Sequence, residues 1–322
     1  MKMIGTLLAA IVATISLEAK AQTYPDRAIK MVVPFAAGGA VDSLARIIGA
    51  KMQEAMKQPV IIENKPGAGG NIAAADVARS APDGYTILLT TVGHSMSPAL
   101  YKKLTYDPIN GFTPVTQVIS SSLLLVVNPK FPAKDLGELV AEARRKPGAL
   151  NYGSTGIGNP LHLTMEMLKS VAKLDIQMVP FRGDAPLNQA LIQGDIEMAV
   201  SPLGSARPQV EAGAIRVIGA TGATRSKAMP DVKTIAEQGF PGFSMDSWQA
   251  LFLPANAPRP IVERIHKEVA AALQDPDVIK RIEGFGSEPV ASKPDDFAKF
   301  LTGEFEKYRV LINDLKIPVQ DQ

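Results

Sequence analysis

The sequence predicts a doubly wound α/β protein built as two lobes around a cleft. Three observations carry that expectation. Short β-rich runs alternate with helix-length amphipathic segments, the order of parallel strands joined by crossover helices. The runs "MVV", "TILL" and "LLLVV" lack polar–apolar alternation, as strands covered on both faces do. Beyond Pro254 the chain turns predominantly helical, so a tail has to pack back onto the α/β body.

Taken in order, strands are expected at Ile29–Phe35, Val60–Glu63 and Tyr85–Thr90, the last fed by the Asp83-Gly84 turn signal. The unbroken apolar run Leu123–Val127 follows, then Leu150–Gly153, Gln177–Pro180, Ile196–Val200, Ile215–Ala220 and Ser247–Leu253. Helical spacing of apolar residues places helices at Val41–Met56, Asn71–Ser80, Asp135–Arg145, His162–Lys173, Pro186–Gln193 and Ser205–Glu211. In the tail, 258–283 reads as helix with Pro260 near its start, and Asp295–Leu315 as another. With the chain crossing near 120–127 and returning near 245–253, the first lobe takes 22–123 plus 247–322 and the second 124–246. Ligands in such sheets sit beyond the carboxyl ends of the strands, so the two lobes share a cleft there.

Composition removes several function classes. With 34 basic and 32 acidic residues the formal net charge is +2, which argues against a polybasic nucleic-acid surface. There is no cysteine among the 322 residues, so disulfides and thiolate metal sites are excluded. The opening "MKMIGTLLAAIVATISLEAKAQ" has a basic start at Lys2, an apolar stretch Met3–Leu17 and an A-x-A site at Ala19-Lys20-Ala21. That is the pattern of a cleaved export signal, residues 1–21, and points to a bacterial periplasm. Glu18 and Lys20 end the stretch short of the about 20 apolar residues a membrane span needs.

Three glycine loops join strands to helices: Pro34–Asp42 ("PFAAGGAVD"), 64–71 ("NKPGAGGN") and 152–163 ("YGSTGIGNPLHL"). Glycine lets main-chain N–H groups converge, and a helix N-terminus favours an anion. Asp42 is open to a plainer reading, as the cap of its own helix. None of the loops has the G-x-G-x-x-G or G-x-x-x-x-G-K-[ST] spacing of a nucleotide site. The recurrence of such loops in both lobes reads as an anion clamp. Catalytic patterns are weaker. "NYGSTG" has Tyr152 where a nucleophile elbow needs glycine, and Ser170–Lys173 lacks the companion motifs of an S-x-x-K enzyme. His162 and Glu166 form an i,i+4 pair without a third metal ligand, and His266 reads as a solvated helix face. Phe35 and Phe181-Arg182-Gly183 follow strand ends, where cleft residues lie, and Arg182 is the one cation placed to meet an anion.

Several of these strings together resemble one family. "YPDRAIKMVVPFAAGGAVDSLAR", "VIIENKPGAGGNIAAADVARSAPDGYT", "NYGSTGIGNPLHLTMEML" and "VPFRGDAPLNQALIQGDIEMAV" look like the substrate-binding receptors of tripartite tricarboxylate transporters, the Bug family. The resemblance runs from about Tyr24 to the C-terminus. It implies a type II periplasmic binding protein fold, two doubly wound lobes closing around a small carboxylate, with no cofactor, no metal and no catalysis. It further implies a monomer that passes a mono-, di- or aromatic carboxylate to membrane permease components. Carried over residue by residue, the implied ligand contacts are Phe35, Ala37, Gly38, Gly39 and Asp42 in the first lobe. Ser154, Thr155, Gly156, Gly158, Asn159 and His162 match in the second, with Phe181, Gly183 and Asp184 beside them. The segment Thr91–Ser95, with Thr91, Gly93 and His94, lies at a strand end and is expected to face the cleft. "FAAGGAVD" departs from the pattern by carrying alanines where relatives often have prolines. Asp42 is expected to accept from loop N–H groups, a bridging water or a ligand ammonium. The alternatives are a secreted α/β hydrolase, which requires an organised Ser-His-Asp geometry, and a receptor-like sensor for a signalling partner.

Overall fold

The computed structural model describes residues 24–321. The expected export signal, 1–21, lies outside the described residues. Ten strands form one sheet, eight of them in the order β2-β1-β3-β9-β4-β7-β5-β6, with β8 and β10 paired to β4 off that path. In the first half, β1 (Ile29–Val33) lies parallel between β2 (Val60–Asn64) and β3 (Thr86–Thr91). In the second half, β5 (Asn151–Ser154) lies parallel between β6 (Gln177–Pro180) and β7 (Met198–Pro202).

The two halves are joined by a strand longer than the sequence predicts. β4 runs from Phe112 to Val127. Its first part, to Ser122, pairs antiparallel with β9 (Asp246–Pro254), and Leu123–Val127 pairs with β7 and β8 (Arg216–Ala220). Only "LLLVV" reads as strand in the sequence. The preceding "FTPVTQVISSS" is broken by Pro114, Gln117 and three serines, and the register shifts at Pro114/Thr116 and Gln117/Ile119 that accommodate them are β-bulges. β10 (Ser287–Pro289) adds to the same stretch of β4.

Ten α-helices cover the sheet among the described residues: α1 (Ala40–Met56), α2 (Asn71–Ala78), α3 (Gly93–Leu100), α4 (Leu136–Arg145), α5 (Pro160–Ala172), α6 (Asp184–Gln193), α7 (Leu203–Glu211), α8 (Arg259–Ala272), α9 (Pro276–Gly284) and α10 (Pro294–Asp314). α3 carries Pro98 and has no side-chain cap, which hides it in the sequence. The helix expected over 258–283 is two: Pro276 cannot continue α8, and Asp275 caps α9 by accepting from Asp277 and Val278 N–H. No described helix is long and apolar enough to cross a membrane.

Strand residues alternate between two buried layers. Ile29, Met31 and Val33 meet α1, α8 and α9, whereas Val32, with Trp248 and Phe252 of β9, meets α2, α3 and α10. That is why the apolar runs show no polar alternation. Leu124 and Val126 face a third cluster under α6 and α7.

Candidate functional site

β1 delivers the chain into the first glycine loop, and α1 leaves it. Gly38 adopts a left-handed φ of 85°, and Gly39, at φ −77° and ψ 172°, is the N-cap without a side-chain cap bond. Asp42 is therefore not the helix cap. It is the third residue of α1, 2 % exposed, and its carboxylate is fully engaged. Oδ2 accepts from Gly38 N–H at 2.9 Å and Arg46 Nε at 2.9 Å. Oδ1 accepts from Arg46 Nη2 at 3.0 Å and Asn64 Nδ2 at 3.0 Å. Asn64 Nδ2 also donates to Phe35 O at 3.0 Å, so Asp42 and β2 together hold the loop. The Arg46 hydrogen bonds bring the carboxyl down to about 2, with Gly38 N–H and Asn64 acting in the same direction against burial.

The third loop repeats the device with different chemistry. Gly158, at φ 81°, precedes the N-cap Asn159, and its N–H donates to Nδ1 of His162 at 3.2 Å, the third residue of α5. Asn159 Oδ1 accepts from His162 N–H at 2.8 Å, and its Nδ2 donates to Thr155 Oγ1 at 3.1 Å. Burial holds His162 below its ordinary range, so it stays neutral, with the proton on Nε2 and Nδ1 free to accept. In both loops a positive-φ glycine just before the cap is tied to the side chain at the third helical position. In α1 the N–H groups of Ala40 and Val41 are left without an intrahelical acceptor, as helix geometry requires of a first turn. In α5 the first residue is Pro160, and the free donor is Leu161.

Ala40, Val41, Pro160 and Leu161 line one cleft of about 650 Å³, the two helix starts coming from opposite halves of the sheet. Its floor is the carboxyl end of β3 with β4 and β9, through Thr91, Ile119, Ser121 and Gln249. Its far wall is the start of α7 at Pro202–Ser205 against 284–287. There the halves touch backbone to backbone: a Cβ on Gly204 would stand 2.1 Å from Phe285 O. Among the described residues no Lys, Arg, Asp, Glu or His lines this cleft. What remains to bind an anion is oriented N–H groups, hydroxyls and amides.

Of the residues expected to meet the ligand, Phe35, Thr91, Thr155 and Asn159 line the cavity. Ala37, Gly38 and Gly39 form the exposed rim of the first loop, and Gly156 lies in the third. Asp42, Ser154, Gly158 and His162 sit behind the walls they hold in place. Gly93 donates its N–H to Thr91 Oγ1 at 3.3 Å. His94 does not reach the cleft. It is buried in an aromatic cluster, with ring centroids 4.9 Å from Phe112 and 5.1 Å from Phe252, and burial pushes it down to about 4. The register turns its helix so that this side chain enters the core. Phe181 packs under α6 and α7 and Gly183 caps α6, neither at the cavity wall, whereas the side chain of Asp184 lies outside the described residues. Arg182 is exposed and also away from the wall. The 64–71 loop stands behind the first, a Cβ on Gly70 falling 3.2 Å from Pro34.

Gln249, Ser121, Ser205 and Phe285 to Ser287 escaped the sequence reading. The available signal was the serine run 120–122 directly before the apolar run Leu123–Val127. The catalytic and metal patterns find no support in the geometry. Glu166 accepts from Tyr152 OH at 2.6 Å and Lys169 Nζ at 2.7 Å rather than facing a shared ion with His162. Ser154 Oγ donates to Gly156 O at 3.2 Å.

Comparison with known proteins follows the same line. The family model for the tripartite tricarboxylate transporter family receptor matches residues 44–317. Protein BugT of Bordetella pertussis is 30% identical over 308 residues, 94% of this chain and 93% of that protein. A Rhodopseudomonas palustris protein solved with adipate superposes with a TM-score of 0.79 at 33% identity, covering 93% of this chain and 100% of the other. MatC of the same organism, solved with bound malate, gives a TM-score of 0.74 at 34% identity over 90% of this chain and 100% of the other.

Proposed function

We propose that this chain, which belongs to the tripartite tricarboxylate transporter receptor family, is an extracytoplasmic receptor that binds a small carboxylic acid and performs no catalysis. One observation carries the reading. Two helix N-termini, α1 and α5, meet at one cleft from opposite halves, with no charged side chain on its walls among the described residues. A carboxylate bound there takes hydrogen bonds from Ala40, Val41 and Leu161 N–H and from Thr91 and Thr155, while Gly38, Gly39, Gly156 and Gly158 shape the loops. Asp42, Ser154 and His162 position those loops rather than touching ligand. The cavity of about 650 Å³ admits a mono-, di- or aromatic carboxylate.

Relatives solved with adipate and with malate support that class. The lobes, 22–123 plus 247–322 and 124–246, close by rotating where the chain passes between them, within β4 and at the start of β9. The ligand is then handed to permease components in the membrane by a periplasmic monomer from which residues 1–21 have been removed. A thermal-shift screen across carboxylates tests the central claim. A ligand at 100-fold excess over its dissociation constant stabilises the folded state by about 2.7 kcal/mol. If neutral sugars or cations raise the melting temperature and no carboxylate does, the reading is wrong.

A further inference from the structure

Two side-chain amides line the cleft, and they differ. Asn159 is consumed by His162 N–H and Thr155 Oγ1. The side chain of Gln249 makes no hydrogen bond among the described residues, and its Oε1 is shielded from solvent without a partner. It stands at the centre of the floor, opposite Thr91 on β3 and Ile119 on β4. The neighbouring serines do not serve it: Ser121 and Ser287 hydrogen-bond each other at 2.6 Å. A shielded amide oxygen left unpaired is costly, so the occupied cleft has to supply a donor.

We infer that Gln249 is a specificity-determining residue that selects a carboxylate bearing a hydroxyl group, building on the carboxylate reading above. An ionised carboxylate or a ketone has no proton to give Oε1. An ammonium has, but a buried cation needs an anionic partner, and among the described residues the cleft offers none, Asp42 lying behind its wall already paired with Arg46. A hydroxyl donates to Oε1 and accepts from Nε2, satisfying both ends of the amide without a net charge.

The experiment is titration calorimetry of the full chain with matched probes: succinate, L-malate and L-aspartate, then butyrate and 3-hydroxybutyrate. At least one hydroxylated probe binds ten-fold or more tightly than its deoxy partner, and L-malate binds more tightly than L-aspartate. In Gln249→Leu the hydroxylated and deoxy probes bind within about two-fold of each other. Gln249→Asn, which keeps the amide, retains part of the preference and guards against a merely structural loss. Carboxylate binding without hydroxyl preference, or a preference that survives in Gln249→Leu, overturns this inference alone. Tighter binding of L-aspartate than L-malate also overturns it. No binding of any carboxylate overturns the receptor reading beneath it as well.

Discussion

Asp246→Asn is expected to make the protein more stable at neutral pH. Asp246 opens β9 opposite Ser122, where the chain passes between the halves of the sheet. Its Oδ1 is buried and unpaired, and burial, with Glu304 and Glu288 nearby, pushes the carboxyl up to about 6 despite Lys307. The ordinary value is 3.8, and each factor of ten in proton affinity is worth about 1.4 kcal/mol. The ionised form therefore costs the folded state up to about 3 kcal/mol at pH 7. Because the folded pKa lies above the unfolded one, this penalty is absent below pH 3.8, grows as pH rises and is complete above about 6. An amide keeps the shape and removes the charge. Urea unfolding at pH 7.5 should give Asp246→Asn about 1–3 kcal/mol of added stability, and the gain should vanish near pH 4. A variant no more stable than wild type at pH 7.5, or equally stabilised at both pH values, would refute the account.

Three further outcomes follow from the loops. Asp42→Asn loses the charge that pairs Arg46, at a cost of about 1–2 kcal/mol once the half exposure of Arg46 is discounted, and it weakens carboxylate binding by loosening the Gly38 loop. The corresponding wild-type stability is present above pH 3.8 and is lost as pH falls towards about 2, which acid unfolding of the two proteins measures. His162 is held neutral, so its contribution is intact above its ordinary 6.5 and is lost as pH falls below it, when protonation removes the acceptor for Gly158 N–H. Carboxylate affinity should drop in wild type once acidification takes the pH below the lowered value of folded His162, and His162→Asn, whose Oδ1 can still accept, should flatten that profile. Gly39→Val should fold normally, since Gly39 has extended φ and the nearest atom to an added Cβ is Ala36 O at 3.6 Å, yet bind carboxylates at least ten-fold more weakly. Equal affinity by calorimetry would remove the first loop from the site.

The features legible in the sequence are the local ones. Strand–loop–helix alternation shows in apolar periodicity, and a glycine loop shows in adjacent residues, so of the cleft's walls only the two helix starts are readable and the wall of Pro202–Ser205 against 284–287 is not. Nor is the floor. β4 carries polar residues and two register shifts over Phe112–Ser122, which erase the strand pattern of the stretch that brings Ser121 to the cavity. His94 was misjudged for a related reason. Its aromatic neighbours come from Tyr106, Phe112, Phe252 and Phe305, and no local pattern reveals that company. Asp42 stays open between cap and ligand contact in the sequence because one of its partners, Asn64, belongs to the next strand.

The two clamping loops solve one electrostatic problem in two ways. A glycine N–H just outside a helix has to be satisfied without using the first-turn donors that face the cleft. Asp42 does this with an anion whose charge Arg46 cancels, and His162 does it with a neutral ring nitrogen. Neither leaves a net charge on the cavity wall. A bound carboxylate would then be held by short-range dipoles rather than by a fixed cation, and its affinity should depend weakly on salt. A cationic site pairs charges that added ions screen, whereas N–H groups buried by lobe closure are shielded from those ions. Raising NaCl from about 0.05 to 0.5 M should therefore change the dissociation constant by less than about three-fold. A steep fall would mean that a cation, most plainly Arg182 or Arg46 after rearrangement, reaches the ligand and that the dipole account is wrong.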